Sequence, residues 1–229
     1  MKSSTLLFTA FLITTLILTS LLFFSGFLDD RREEAVLVRM ANVVEDYEQL
    51  QSLLLMSEIF GEESTCVTLG SALSEMNREL WELGVKIDAY REATEQFFKD
   101  PFYQEQKRKF NSKEALYFTV LTKMGEKCPL QPAIITYFYK KKEECPSCDD
   151  QSFVLVDLKR ELENMDAEVV LAVFSFDADL NLPTVEVLMR SYNVTSFPCM
   201  VIGGEAHCGI FNKEQTLDLL CAKSNISIC

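Results

Sequence analysis

The chain has 229 residues, a hydrophobic fraction of 48% and a formal net charge of −13. This length accommodates one large or two small domains, each with an adequate core. The charge argues against nucleic acid as a partner, because a protein that binds phosphates needs basic patches, and the single basic run, Lys140–Lys142, is followed at once by two glutamates.

The first segment, residues 1–30, is dominated by apolar side chains. No charged residue occurs from Ser3 to Leu28, and the run from Leu6 to Leu28 is almost wholly apolar. About 20 such residues span a hydrocarbon core. The sequence therefore predicts a single N-terminal transmembrane helix, a signal-anchor that contacts the membrane through residues 5–28. A cleaved signal peptide is the alternative, although its apolar part is normally shorter.

Two sequence patterns give opposite predictions for the side of the membrane on which the rest of the chain lies. Arg31, Arg32 and Arg39 follow the apolar run and favour a cytoplasmic C-terminal part. All eight cysteines also follow that run, and an even cysteine number is typical of an oxidising compartment. We give the cysteines more weight and expect a single-pass membrane protein with an extracytoplasmic C-terminal part.

Residues 31–128 predict an α-helical region. Apolar residues at helical spacing predict a helix over residues 34–60 and a second helix that Ser64 or Thr65 caps and that ends near Phe97. Four helices of this kind can form a small bundle. The region could be a spacer, a surface that docks a partner, or the contact of a homodimer.

Two shorter helices are predicted in the rest of this region. Asp100 precedes Pro101, which is a favourable start for a helix that ends near Phe110. Ser112 can cap a last helix over residues 113–124.

From residue 131 the pattern changes to alternating strands and helices. The predicted order is a strand at 133–139, a helix at 153–162, a continuous apolar strand at 169–176, a helix at 183–192, two strands joined at Gly203-Gly204 and a helix at 213–222. This order predicts an α/β domain at residues 131–229, with a mixed central sheet flanked by helices.

The sequence Cys145-Pro146-Ser147-Cys148 lies between the first strand and the first helix of this domain. A thiol at the start of a helix is favoured as a thiolate by the helix dipole. Two thiols at this spacing can also close into a disulfide and reopen. We therefore predict that Cys145 is the attacking thiolate and the more exposed of the two thiols, and that Cys148 is the resolving thiol.

Residues 131–223 resemble the thioredoxin superfamily. Three features carry the resemblance in the family's order: Cys145–Cys148 between a strand and a helix, Phe197-Pro198 before the strand Met200–Ile202, and the turn Gly203-Gly204. The proline in the Cys-x-x-Cys spacer is also similar to the glutaredoxin and DsbA-type branches.

The resemblance implies a thioredoxin-like fold and a membrane-anchored thiol–disulfide oxidoreductase that forms, reduces or isomerises disulfides in extracytoplasmic proteins. It implies that Pro198 is a cis-proline beside the reactive sulfur, with Phe197, Pro146 and Ser147 in contact with the substrate. The implied partners are protein thiols or disulfides and a redox partner protein, and no cofactor is expected. The alternative is a redox-inactive thioredoxin-fold scaffold in which every disulfide is structural.

The sequence departs from the family's common Trp-Cys-Gly-Pro-Cys. Glu144 precedes the first cysteine, and Asp149 and Asp150 follow the second. These carboxylates disfavour a thiolate, whereas the helix dipole and Lys140–Lys142 favour one. The sequence therefore does not predict the redox potential of the cysteine pair. The residue after Pro198 is Cys199, where many members have threonine.

The other six cysteines are candidates for structural disulfides. A two-residue turn at Gly203-Gly204 places Cys199 opposite Cys208 on a close, non-hydrogen-bonded pair, although Cys199 could instead be an auxiliary redox thiol. The remaining candidates are Cys66 with Cys128 in the helical region and Cys221 with Cys229 in the tail. No metal site is expected, because only one cysteine pair has metal-like spacing and His207 is the sole histidine.

Overall fold

The computed structural model describes residues 8–24, 62–92, 101–128, 132–165, 171–224 and 229, with isolated positions 27, 31, 34, 37, 38, 40 and 52. The chain divides into two compact units, Met1–Asn42 and Val43–Cys229. In the first unit residues 8–24 are helical, and large apolar side chains such as Phe8, Phe11 and Leu22 are exposed.

The expectation of an N-terminal transmembrane helix is wrong. Over the described ranges, no helix is both long and apolar enough to cross a membrane. The predicted single-pass membrane localisation, with an extracytoplasmic C-terminal part, depended on that helix and is likewise wrong.

Two long helices open the described part of the second unit, α1 (Glu62–Glu92) and α2 (Pro101–Lys127). The predicted break in α2 is wrong, because the Ser112 hydroxyl donates to the Arg108 carbonyl one turn earlier, at 2.9 Å, and caps nothing. Ser64 and Thr65 lie inside α1, so neither is its cap. The helix predicted over residues 34–60 falls outside the described residues, apart from isolated positions.

The sheet has four strands: β1 (Ala133–Tyr139), β2 (Leu171–Asp177), β3 (Cys199–Ile202) and β4 (Glu205–Cys208). Their order is β2-β1-β3-β4. β1 and β2 are parallel, whereas β3 is antiparallel to both β1 and β4. The sheet is therefore mixed, and β1 and β3 are its buried central strands.

Three helices and a short 3₁₀ turn complete this unit: α3 (Cys148–Met165), the turn Ala178–Leu180, α4 (Pro183–Ser191) and α5 (Lys213–Lys223). Leu155, Leu158 and Leu162 recur at helical spacing on α3 and bury against one face of the sheet, together with Leu220 of α5. This core fixes α3, and with it Cys148, against β1 and β3.

Polar side chains of α2 cover the outer edge of β2. The Ser175 amide donates to Glu114 Oε1 at 3.0 Å, and the Asp177 amide donates to Asn111 Oδ1 at 2.9 Å. An edge strand exposes unpaired backbone groups, and these side chains satisfy two of them. Helix α2 therefore packs on the edge of the sheet within the second unit.

Candidate redox site

Two consecutive hydrogen-bonded turns bring Cys145 to the start of α3. The Cys145 amide donates to the Lys141 carbonyl at 2.8 Å, and the Cys148 amide donates to the Cys145 carbonyl at 3.1 Å. Cys145 and Cys148 form a disulfide with their Cα atoms 5.4 Å apart. Because Cys148 is the first residue of α3, Cys145 lies beside helix amides that have no partner within the helix, where a thiolate is favoured.

Tyr137 of β1 holds the start of α3 in place. Its hydroxyl donates to the Cys148 carbonyl at 2.6 Å, and its ring stacks on Tyr139 with 5.7 Å between centroids. Burial, together with the nearby Asp149 carboxylate, raises the pKa of Tyr137 above its ordinary value. The hydroxyl therefore stays protonated and remains a donor at neutral pH. Its position in an apolar strand gave no indication of this role.

Pro198 lies at the same end of the sheet. It directly precedes β3, whose first residue, Cys199, is opposite Phe138 near the end of β1. Because β3 runs antiparallel to β1, Pro198 lies where β1 leads into the loop that carries Cys145. The Phe197-Pro198 peptide bond is cis, and the Pro198 carbonyl accepts from the Gly209 amide at 2.8 Å.

Both thiols are buried, so the predicted greater exposure of Cys145 amounts to almost nothing in this state. Cys145 is 3% exposed and Cys148 is 2% exposed. Pro146 between them is exposed, and Ser147 is half-buried. Because both cysteines are buried, the closed disulfide offers little surface to a substrate sulfur.

Charged side chains surround the loop. Glu144 forms an ion pair with Lys140, and Lys140 Nζ lies 3.7 Å from Asp179 Oδ1. The hydrogen bond with Glu144 raises the pKa of the Lys140 ammonium despite some loss of solvation. Asp149 lies in the first turn of α3. The loop at 140–147 carries three lysines and two glutamates, and the acidic groups outnumber the lysines once Asp149, Asp150 and Asp179 are included. Lys140 is the cation in contact with the residue before Cys145.

Gln151 was also missed by the sequence analysis. It is fully buried one turn into α3, its Oε1 accepts from the Phe211 amide at 2.7 Å, and its Nε2 lies 3.5 Å from Met200 Sδ. These contacts tie α3 to β3 and to the loop that follows β4. A glutamine among apolar helix positions was the signal that could have identified it.

All eight cysteines are paired. The predicted hairpin register is confirmed, with Cys199 opposite Cys208, and these two residues form a disulfide. In this state Cys199 is therefore not an available thiol. The other two disulfides join Cys66 with Cys128 and Cys221 with Cys229.

Comparisons with known proteins assign no family. No family model matches the chain, and no curated protein or solved structure is similar enough to count as a match. In the part of the chain that the structure describes, no group of three or more His, Cys, Asp or Glu side chains is arranged to hold a metal ion. The function must therefore be argued from the chemistry of the Cys145–Cys148 site.

Proposed function

We propose that the protein is a thiol–disulfide oxidoreductase of the thioredoxin superfamily that exchanges disulfides with other proteins through Cys145 and Cys148. The observation that carries the proposal is the closed Cys145–Cys148 pair at the start of α3, at the end of the sheet it shares with Pro198. The strand order β2-β1-β3-β4 supports the superfamily assignment.

The proposed exchange has two balanced steps. The Cys145 thiolate attacks a substrate disulfide, forms a mixed disulfide and releases one substrate sulfur as a thiolate that takes up a proton. Cys148 then loses its proton and attacks the Cys145 sulfur, which releases the second substrate sulfur. The substrate gains two electrons and two protons, and the Cys145–Cys148 pair is oxidised by the same two electrons. The reverse sequence oxidises a substrate dithiol, and a redox partner protein would reset the pair.

A second candidate function is a binding scaffold in which all four disulfides are structural. The low exposure of Cys145 favours it, because a reactive cysteine is normally accessible to its substrate.

A redox titration separates the two candidates. The full-length protein is equilibrated in glutathione buffers of graded potential, free thiols are alkylated, and each cysteine is quantified by mass spectrometry. An exchange enzyme should open Cys145–Cys148 between roughly −270 and −120 mV, while structural disulfides stay closed until below about −300 mV. If Cys145–Cys148 opens together with the other three pairs, the scaffold is the better assignment.

Replacing the attacking thiol tests the assignment of roles. We expect Cys145→Ser to abolish reduction of a disulfide substrate, because no mixed disulfide can form at the first step. The matched control is the double variant Cys221→Ser/Cys229→Ser, which removes a disulfide at the C-terminal tail and should leave exchange intact. Unchanged turnover in Cys145→Ser would contradict the proposed role.

A further inference from the structure

Lys140 contacts both segments that form the candidate redox site. Its Nζ forms an ion pair with Glu144, the residue before Cys145, and lies 5.6 Å from the ring centroid of Phe197, the residue before Pro198. It also lies 3.7 Å from Asp179 Oδ1. One cation therefore touches the loop that carries the first cysteine, the segment that carries the proline and the turn after β2.

The positive charge of Lys140 favours a thiolate at Cys145, because most of the other charged groups around Cys145 are carboxylates. The carboxylates on its own loop and in the first turn of α3 are Glu143, Glu144, Asp149 and Asp150, and Asp179 belongs to the turn after β2. The segment 195–198 contributes no ionisable group. Each carboxylate disfavours a thiolate nearby. Lys141 and Lys142 are exposed, whereas Lys140 is held within the site by its contacts.

We propose that Lys140 is a positioning residue that neutralises Glu144 and holds the Phe197-Pro198 segment against the Cys145 loop, and thereby keeps Cys145 reactive. This inference rests on the proposed oxidoreductase function. Lys140 thus both offsets the negative charge of Glu144 and aligns the Cys145 loop with the Phe197-Pro198 segment. The aromatic contact contributes because a cation over a ring face is attracted by the ring quadrupole.

The inference predicts the direction of the change in each variant. Lys140→Met removes the cation and leaves Glu144 without its partner, so the pKa of the Cys145 thiol should rise by about 0.5 to 1. Its alkylation below that pKa should slow by about two- to fivefold, because the lower thiolate fraction is partly offset by higher nucleophilicity. Glu144→Gln should change the pKa in the opposite direction, and the double variant should lie close to wild type.

The experiment measures the pH profile of Cys145 alkylation in the full-length protein. The protein is reduced at a potential that opens Cys145–Cys148, treated with iodoacetamide from pH 5 to 10, and analysed at the peptide level. Lys142→Met is the matched control, since it removes the same charge from an exposed side chain closer in sequence to Cys145. Lys140→Arg should restore most of the wild-type profile, because it keeps a cation that can reach the same groups.

The outcomes distinguish the inference from the function on which it rests. If wild-type Cys145–Cys148 does not open at an accessible potential, the proposed function fails. If wild type exchanges disulfides but Lys140→Met and Lys142→Met give the same pH profile, the assignment of Lys140 is overturned. A profile shifted in Lys140→Met alone, and restored by Lys140→Arg, supports it. Circular dichroism confirms that each variant is folded.

Discussion

The buried ion pair between Lys107 of α2 and Asp177 at the end of β2 gives the sharpest test of how the helices are fixed to the sheet. The Lys107 side chain is 7% exposed and the Asp177 side chain is 2% exposed. Burial disfavours the ammonium, but the neighbouring Tyr139, Asp177 and Tyr103 together raise the pKa of Lys107 above its ordinary value. Lys107 is therefore charged at neutral pH and depends on Asp177 for compensation.

Lys107→Met should destabilise the protein by about 3–5 kcal/mol, since removal of one partner leaves a buried carboxylate uncompensated. Methionine keeps most of the volume of the lysine stem, so little of this loss comes from a cavity. The double variant Lys107→Met/Asp177→Asn carries no charge at either of these two positions and should recover a large part of the loss. Lys109→Met is the control, because the Lys109–Glu105 pair is exposed and should contribute less than about 1 kcal/mol.

Urea unfolding, followed by circular dichroism and by the fluorescence of Trp81, the single tryptophan, measures these differences. With a slope of about 2 kcal/mol per M, the expected loss lowers the Lys107→Met midpoint by roughly 1.5–2.5 M. A Lys107→Met variant within about 1 kcal/mol of wild type would refute the reasoning. So would a double variant that is less stable than the single one.

Three further predictions test the hairpin, the core and an exposed ion pair. Gly203→Ala should destabilise the protein more than Gly204→Ala by urea unfolding: both glycines have positive φ, but a Cβ at 203 would lie 2.7 Å from the Lys223 Cβ and one at 204 would meet nothing within 4 Å. Leu158→Ala should lower the free energy of unfolding by about 2–5 kcal/mol in the same assay, because Leu158 is 1% exposed in the core. The hydrogen bond from Lys223 lowers the pKa of Glu205. The stability that this pair contributes should therefore be present above the ordinary pKa of 4.5 and be lost as the pH falls through the lowered pKa. In Lys223→Met, an NMR titration should show the pKa of Glu205 moving back towards its ordinary value.

The β3–β4 hairpin and the loop that carries Cys145 were predictable because local sequence determines them. Two consecutive glycines accept the positive φ of a two-residue turn, and the turn then dictates the pairing of Cys199 with Cys208. The order of strand, Cys-x-x-Cys and helix likewise follows from short-range periodicity. The sequence did not indicate that Tyr137 would bind the Cys148 carbonyl, since that contact depends on how β1 and α3 pack.

The errors arose where tertiary contacts outweigh local signals. Ser112 has the chemistry of a helix cap, but Asn111 and Glu114 beside it bind the edge of β2 from the middle of one continuous helix, and a break there would have separated them. The transmembrane prediction relied on the length of an apolar run in the sequence. Of that run the structure describes residues 8–24 as helical, and none of the described helices is long and apolar enough to cross a membrane.

A chain of contacts connects α2 to Cys148 in the candidate redox site. Lys107 Nζ lies 5.3 Å from the Tyr139 ring centroid, Tyr139 stacks on Tyr137, and the Tyr137 hydroxyl binds the Cys148 carbonyl. A helix that served only as a spacer would not need the buried Lys107 at the end of β1, where the chain enters the loop that carries Cys145. Because each of these groups is buried or half-buried and held by specific contacts, α2 helps to fix where α3 begins, and the start of α3 determines how the helix dipole acts on Cys145.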